Sequence, residues 1–103
     1  MTRGIDWSHE FKRDHKREGK THGQAALTKM LDDCFDYLLE DQPLPFSYRD
    51  HSLSGKWKNC RDCHLKPDLI LLYAKRDADP DVPGSEDLLF LMRLGSHSEI
   101  FGK

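Results

Sequence analysis

Residues 50–73 read DHSLSGKWKNCRDCHLKPDLILLY, and the reading of this stretch decides the fold. A polar turn at Ser52-Leu53-Ser54-Gly55 leads into a run alternating through Trp57, Asn59, Arg61 and Cys63. Lys66-Pro67 interrupts it, and Leu69, Ile70, Leu71, Leu72 and Tyr73 then form a short apolar run. Alternation followed by a continuous apolar run predicts two strands joined by a turn, the second buried on both faces. Pro67 has no N–H to give a ladder, so it belongs in the turn or at a strand's start. Three titratable side chains sit on this frame: His51 ahead of the first strand, His64 at its end and Asp68 just past the turn. A fourth, His97, lies in GSHSEIFG, residues 95–102.

Upstream, Ile5-Asp6-Trp7 predicts a short first strand, and Ser8 with Glu10 beyond it predicts a helix N-cap. The helix over about 9–19 carries Lys12, Arg13, Lys16 and Arg17 on a basic face, with Phe11 and His15 four apart on a thin apolar stripe. The basic face suits a phosphate backbone or simply water, and His15 reads as a boundary residue rather than a ligand. Gly19 and Gly23 are expected to bracket the turn into a second helix over about 24–40. There Leu27, Met30, Leu31, Cys34, Phe35, Leu38 and Leu39 recur at spacings of three and four, one apolar face to lie on the sheet. Asp32, Asp33, Asp36 and Glu40 form the solvated side, and Pro43 and Pro45 prevent the helix from continuing. Downstream, RDADPDVPGSED at 76–87 has the prolines and glycine of an exposed loop. Leu88–Leu94 is a final apolar strand, ended by Gly95. The order is strand, two helices, three strands, the last three antiparallel. It predicts one α+β domain over residues 1–103, with both helices on one sheet face.

Composition bounds the function. The chain has 103 residues, 33% charged and 37% hydrophobic, enough for one modest core. No apolar stretch reaches the length of a membrane span, and MTRGIDWSHEF has no signal-peptide core, so a cytoplasmic protein is expected. Three cysteines fit reduced thiols there better than a disulfide framework. The net charge of −2 is unevenly spread. Residues 1–29 hold seven Lys or Arg against four acids, and residues 49–76 hold seven against three, so a basic face is available on a mildly acidic protein.

The order DH-x-L-x-G-x-W-x-x-x-RD-x-H-x-x-PD-x-IL-x-Y, followed by G-S-H-x-x-I-F-G, resembles the YafQ family of bacterial toxins in the RelE/ParE superfamily. The resemblance is dense over the second half of the chain and a matter of helical pattern over the first. It implies a small curved, mainly antiparallel sheet backed by two N-terminal helices, the RelE-like fold, with the other sheet face free for RNA. It implies a toxin of a type II toxin–antitoxin system, a ribosome-dependent mRNA endonuclease with a preference for adenine-rich codons. Its partners would be the ribosome, mRNA and a small antitoxin, as two toxins with two antitoxins. His51, His64, Asp68, His97 and Phe101 match the family's active-site residues. The family commonly has an aromatic residue where this chain has Leu69, a difference of packing.

The chemistry of these residue types agrees. Cutting RNA without metal needs a base to take the 2′-OH proton, an acid to protonate the departing 5′-oxygen and donors for the phosphate. Histidine suits both proton roles because both of its forms exist near neutral pH. His97 is the expected acid and His51 or His64 the base, with Asp68 orienting an imidazole. Phe101 is expected to stack on a base of the mRNA, although without the resemblance it reads as a core anchor. Arg61, Lys56 and Lys58 are the expected phosphate contacts. No cofactor is expected. Cys60-Arg-Asp-Cys63-His64 spells the haem-attachment motif, and with Cys34 it suggests a zinc-binding module. Strand alternation, however, puts Cys60 and Cys63 on opposite faces. A non-catalytic, ParE-like binding toxin is the other alternative, and it has no use for several imidazoles at one place.

Overall fold

The computed structural model describes residues 3–102. β1 (Gly4–Trp7) leads through α1 (His9–His22) and α2 (Gln24–Leu38) to β2 (His51–Ser52), β3 (Arg61–Lys66), β4 (Leu69–Arg76), β5 (Leu88–Gly95) and α3 (His97–Phe101). The sheet order is β1-β5-β4-β3-β2. β1 runs parallel to β5, and the other pairs are antiparallel. Among the described residues, no helix is long and apolar enough to cross a membrane.

β4 is the centre, as its apolar run requires. Leu69, Leu71 and Tyr73 point into a core with Phe11 of α1, Leu27, Leu31, Cys34 and Leu38 of α2, Cys63 of β3 and Leu89, Leu91 and Leu94 of β5. Each such leucine stabilises the fold by roughly 1.5–3 kcal/mol on burial. Ile70 and Leu72 point the other way, into a smaller core with Cys60 and Ile100, flanked by Trp57, Met92 and Phe101. Cys60 and Cys63 therefore do lie on opposite faces. Cys63 instead meets Cys34, with sulfurs 3.7 Å apart.

Several boundaries differ from the sequence reading. α1 runs on through Gly19 to His22, and the break falls at Gly23, whose φ of 88° favours glycine. A Cβ at Gly19 would stand 2.0 Å from the Gln24 Oε1, the end of an exposed side chain that is free to turn away. α2 ends at Leu38 rather than near Glu40. The strand expected from Trp57 starts only at Arg61. Trp57 lies in a 3-10 turn, Gly55–Trp57, and Asn59 is left-handed at φ 74°. A two-residue edge strand, β2, is added. The second sheet face is not bare, because the 3-10 turn and α3 cover part of it.

How α1 meets β5 sets up the site. β1 ends at Trp7, opposite Leu91, so β5 runs on without a neighbour on that side. Side chains from the start of α1 and beyond replace the missing strand. Ser8, the N-cap, accepts from the Phe11 amide and donates its hydroxyl to the Met92 carbonyl at 2.6 Å. Asp14 accepts the Leu94 amide at 3.0 Å, and Arg17 donates to the Leu94 carbonyl at 3.0 Å. Buried backbone groups need such partners. At the opposite end of the sheet, Arg3 and Lys75 hold the Asp41 carboxyl down to about 2.

Candidate active site

β2, β3 and α3 bring the histidines together on the face opposite the two long helices. The β2–β3 register puts His51 across from Asp62. One step of alternation along β3 puts His64 on the same face as Asp62. His97 is the first residue of α3, which follows Ser96, the N-cap at the end of β5.

Asp62 is the focus, and the sequence reading passed over it. It is 2% exposed, and its Oδ1 has no directed hydrogen bond. The His51 Nδ1 is 3.0 Å from that oxygen but 2.9 Å from the Arg49 carbonyl, and its geometry favours the carbonyl. A carbonyl only accepts, so Nδ1 carries a proton, and in the neutral ring Nε2 is then the acceptor. Burial pushes the Asp62 carboxyl above its ordinary value, against the opposing pull of His51, His64 and His97 in that order. One imidazole, His51, thus stands against a buried carboxylate, His64 shares its strand face, and the charge of His97 also reaches it. The signal was available: two strand positions separate Asp62 from His64, and alternation places them side by side.

His64 lines a cleft of ≈ 450 Å³ with Ser47, Tyr48, Arg49, Lys66 and Pro67. Arg49 and Lys66 are cations that the sequence reading did not single out. Arg49 holds a left-handed backbone, φ 49°, at the end of the 3-10 turn Phe46–Tyr48. Asp68, in the β3–β4 turn, lines the neighbouring cleft with Lys66, Arg17, Ser96 and Glu99. It shares that cleft with Ser96, the residue before His97.

The aromatic side of the site is contiguous. The His97 and Phe101 rings are 4.8 Å apart between centroids, and Phe101 meets Trp57 edge-on at 6.3 Å. The Lys56 ammonium sits 5.2 Å from the Trp57 ring, and Lys58 follows on the exposed end of the same turn. Phe101 is thus packed on the smaller core and only partly buried. Arg61 is not part of this group. Alternation turns it to the helix side of the sheet, where Asp50 pairs with it at 2.9 Å and Tyr73 also bonds Asp50.

A family model described as "Bacterial toxin of type II toxin-antitoxin system, YafQ" matches residues 3–102. The chain is 36% identical over 103 residues to the mRNA interferase toxin YafQ of Escherichia coli strain K12, with 99% of each sequence covered. Among solved structures it is similar to a metal-bound toxin from Helicobacter pylori. There the identity is 40% and the TM-score 0.77, over 98% of this chain and all of that one. It also resembles the toxin in an E. coli DinJ–YafQ complex, at 34% identity and TM-score 0.74, over 97% of this chain and 99% of that one.

Proposed function

Because the chain belongs to the YafQ family of type II toxin–antitoxin toxins, which are mRNA endoribonucleases, we propose that it cuts mRNA on the ribosome by histidine acid–base chemistry. The observation that carries this reading is His51 set against the buried Asp62 carboxylate at 3.0 Å, with His64 on the same strand face and His97 beside Phe101 at the start of α3. His51 donates Nδ1–H to the Arg49 carbonyl, so its Nε2 takes the proton of a 2′-OH. The oxygen so freed attacks the adjacent phosphorus, and the bond to the 5′-oxygen breaks. His97 hands its proton to that departing oxygen. A 2′,3′-cyclic phosphate and a 5′-OH remain, and proton and charge balance without a metal. His64, between Arg49 and Lys66, donates to the phosphate as charge builds on it. Asp62, 3.0 Å from the His51 Nδ1, offsets the charge that His51 gains when it takes the 2′-OH proton. Asp68, in one cleft with Ser96, orients the neighbouring imidazole of His97.

Primer extension and end analysis of mRNA from cells expressing the toxin test the reaction. Products should carry 5′-OH and 2′,3′-cyclic phosphate ends, and the same mRNA without ribosomes should stay intact. Fragments with 5′-phosphates would rule the mechanism out. Unbroken mRNA in growth-arrested cells would favour a binding toxin.

Phe101 stacks on a base in this reading, a contact worth roughly 1–3 kcal/mol per base. Phe101→Leu keeps the apolar anchor on Ile70 and Leu72 but removes the π face. It should weaken cleavage about tenfold to a hundredfold, chiefly through the ribosome concentration needed for half-maximal rate. Loss confined to the saturated rate would move Phe101 from binding to positioning.

The antitoxin we infer is a small partner whose acidic segment meets the basic face of α1, in a complex of two toxins and two antitoxins in the cytoplasm. Complementary charge of that kind speeds association and selects the partner.

A further inference from the structure

α3 has five residues, too few for a helix to hold its own orientation. Yet it carries His97 at its first position and Phe101 at its last. Its internal cap is a reciprocal pair: the Ser96 hydroxyl accepts the Glu99 amide at 3.2 Å, and the Glu99 Oε1 accepts the Ser96 amide at 2.8 Å. That leaves the second carboxylate oxygen of Glu99, which stands 3.2 Å from the Arg17 Nε. The Ser96 amide first, and the charge of Arg17 besides, hold the Glu99 carboxyl below its ordinary value.

Arg17 is itself fixed in place. It donates to the Leu94 carbonyl at 3.0 Å and to the Asp14 Oδ1 at 3.1 Å, and its Nε–H donates to the Glu18 Oε2 at 2.9 Å, so its contact with Glu99 is one of charge. Asp14 is fully buried and is held by the Arg93 Nε at 2.7 Å and the Leu94 amide at 3.0 Å. Gly95 leaves the room that the arrangement needs. A Cβ there would stand 2.8 Å from the Arg17 Nη2 and 3.0 Å from the Glu99 Oε1. One guanidinium thus ties α1 and the end of β5 to the single helical turn that bears the proposed acid.

We propose that Arg17 and Glu99 form a clamp that positions His97 for proton delivery to the leaving oxygen. Both are positioning residues, and the proposal rests on His97 acting as the acid. The pair is more than a third exposed on both sides, so it adds little to global stability. Its effect is local, because small displacements of a reacting group cost much in rate.

The test uses toxin released from its antitoxin and single-turnover cleavage of mRNA on programmed ribosomes. Glu99→Gln keeps the cap, which accepts Glu or Gln alike, and removes the ion pair. It should lower the saturated rate about fivefold to tenfold. The half-saturating ribosome concentration and the melting temperature should stay near wild type. Proton NMR should show the His97 ring signals moved, since the ring current of Phe101 reports their spacing. Arg17→Gln should give a like loss, and the double variant no further loss, because the two act as one unit. If Arg17→Gln does not fold, Glu99→Gln alone decides. A wild-type saturated rate in Glu99→Gln beside an inactive His97→Gln would overturn the clamp and leave the acid in place. Multiplying losses in the double variant would overturn it too. A wild-type rate in His97→Gln would instead remove the acid reading on which the clamp rests.

Discussion

His97→Gln should slow mRNA cleavage by about 10²–10⁴-fold, the contribution typical of a positioned acid, and abolish toxicity without loss of the fold. His97 is exposed at the first turn of α3, where its neighbours fix the backbone without its help: Ser96 caps the turn and Ile100 anchors it in the smaller core. Glutamine fits that position, donates and accepts hydrogen bonds, and has no proton to transfer at neutral pH. Binding to ribosome and antitoxin should therefore be near wild type, and the defect should lie in the saturated rate. His15 serves as the comparison. It stacks on Phe11 at 6.0 Å on α1, beside Trp7 and Phe35, on the helix side of the sheet. His15→Gln should cut at nearly the wild-type rate. Growth, cleavage and ribosome co-sedimentation of both variants expressed without antitoxin decide the matter. Ribosome binding lost together with activity would make His97 a binding residue rather than the donor.

The elements legible in the sequence are those whose signals repeat. Five apolar residues in a row at Leu69–Tyr73 announce a strand covered on both faces, and the stripe from Leu27 to Leu38 announces a helix on a sheet. Ser8 announces the start of α1, and its hydroxyl does bond the Phe11 amide. What escaped lacks a period. β2 is two residues long, too short for alternation to appear. The approach to β3 is broken by one left-handed residue, Asn59, so the apparent alternation from Trp57 belongs to a 3-10 turn and not to a strand. In β5 the register shifts against β4 between Leu72 and Tyr73, which brings both Leu91 and Leu94 into the larger core. α3 was legible and unread: Ser96 and Glu99 spell a capping box just ahead of Ile100 and Phe101. The site divides in the same way. Histidines are rare enough to stand out singly, whereas Asp62 gains meaning only from the register that sets it across from His51.

Asp62→Asn should make the protein more stable and a poorer nuclease. The side chain is buried, and one carboxylate oxygen lacks a directed donor. Burial holds its carboxyl above the ordinary 3.8, and the three histidines do not cancel the shift. Ionised Asp62 at neutral pH therefore works against folding, as groups kept for function often do. Asparagine has the same shape without the charge. The gain should be on the order of 1 kcal/mol, or roughly 4–8 °C in melting temperature for a domain of this size. The sign of the pH dependence follows from linkage. A carboxyl raised on folding contributes its stability fully below the unfolded value and loses it as pH climbs through the folded one. The advantage of the variant should thus be small near pH 3.5 and should grow as pH rises toward neutral. Asp14 behaves oppositely. Burial pushes its carboxyl up, but Arg93, the Leu94 amide and Arg17 outweigh burial and leave it below 3.8. The stability it gives fades in acid in both proteins alike, so it drops out of the difference. Cleavage by Asp62→Asn should fall about tenfold to a hundredfold, because His51 loses the carboxylate 3.0 Å from its Nδ1 that stabilises the imidazolium formed when it takes the 2′-OH proton. Thermal melts across pH, set beside single-turnover cleavage, read both halves. A variant less stable than wild type at pH 7 would make Asp62 a net stabiliser through its histidines, and one that cuts at the wild-type rate would take Asp62 out of the site.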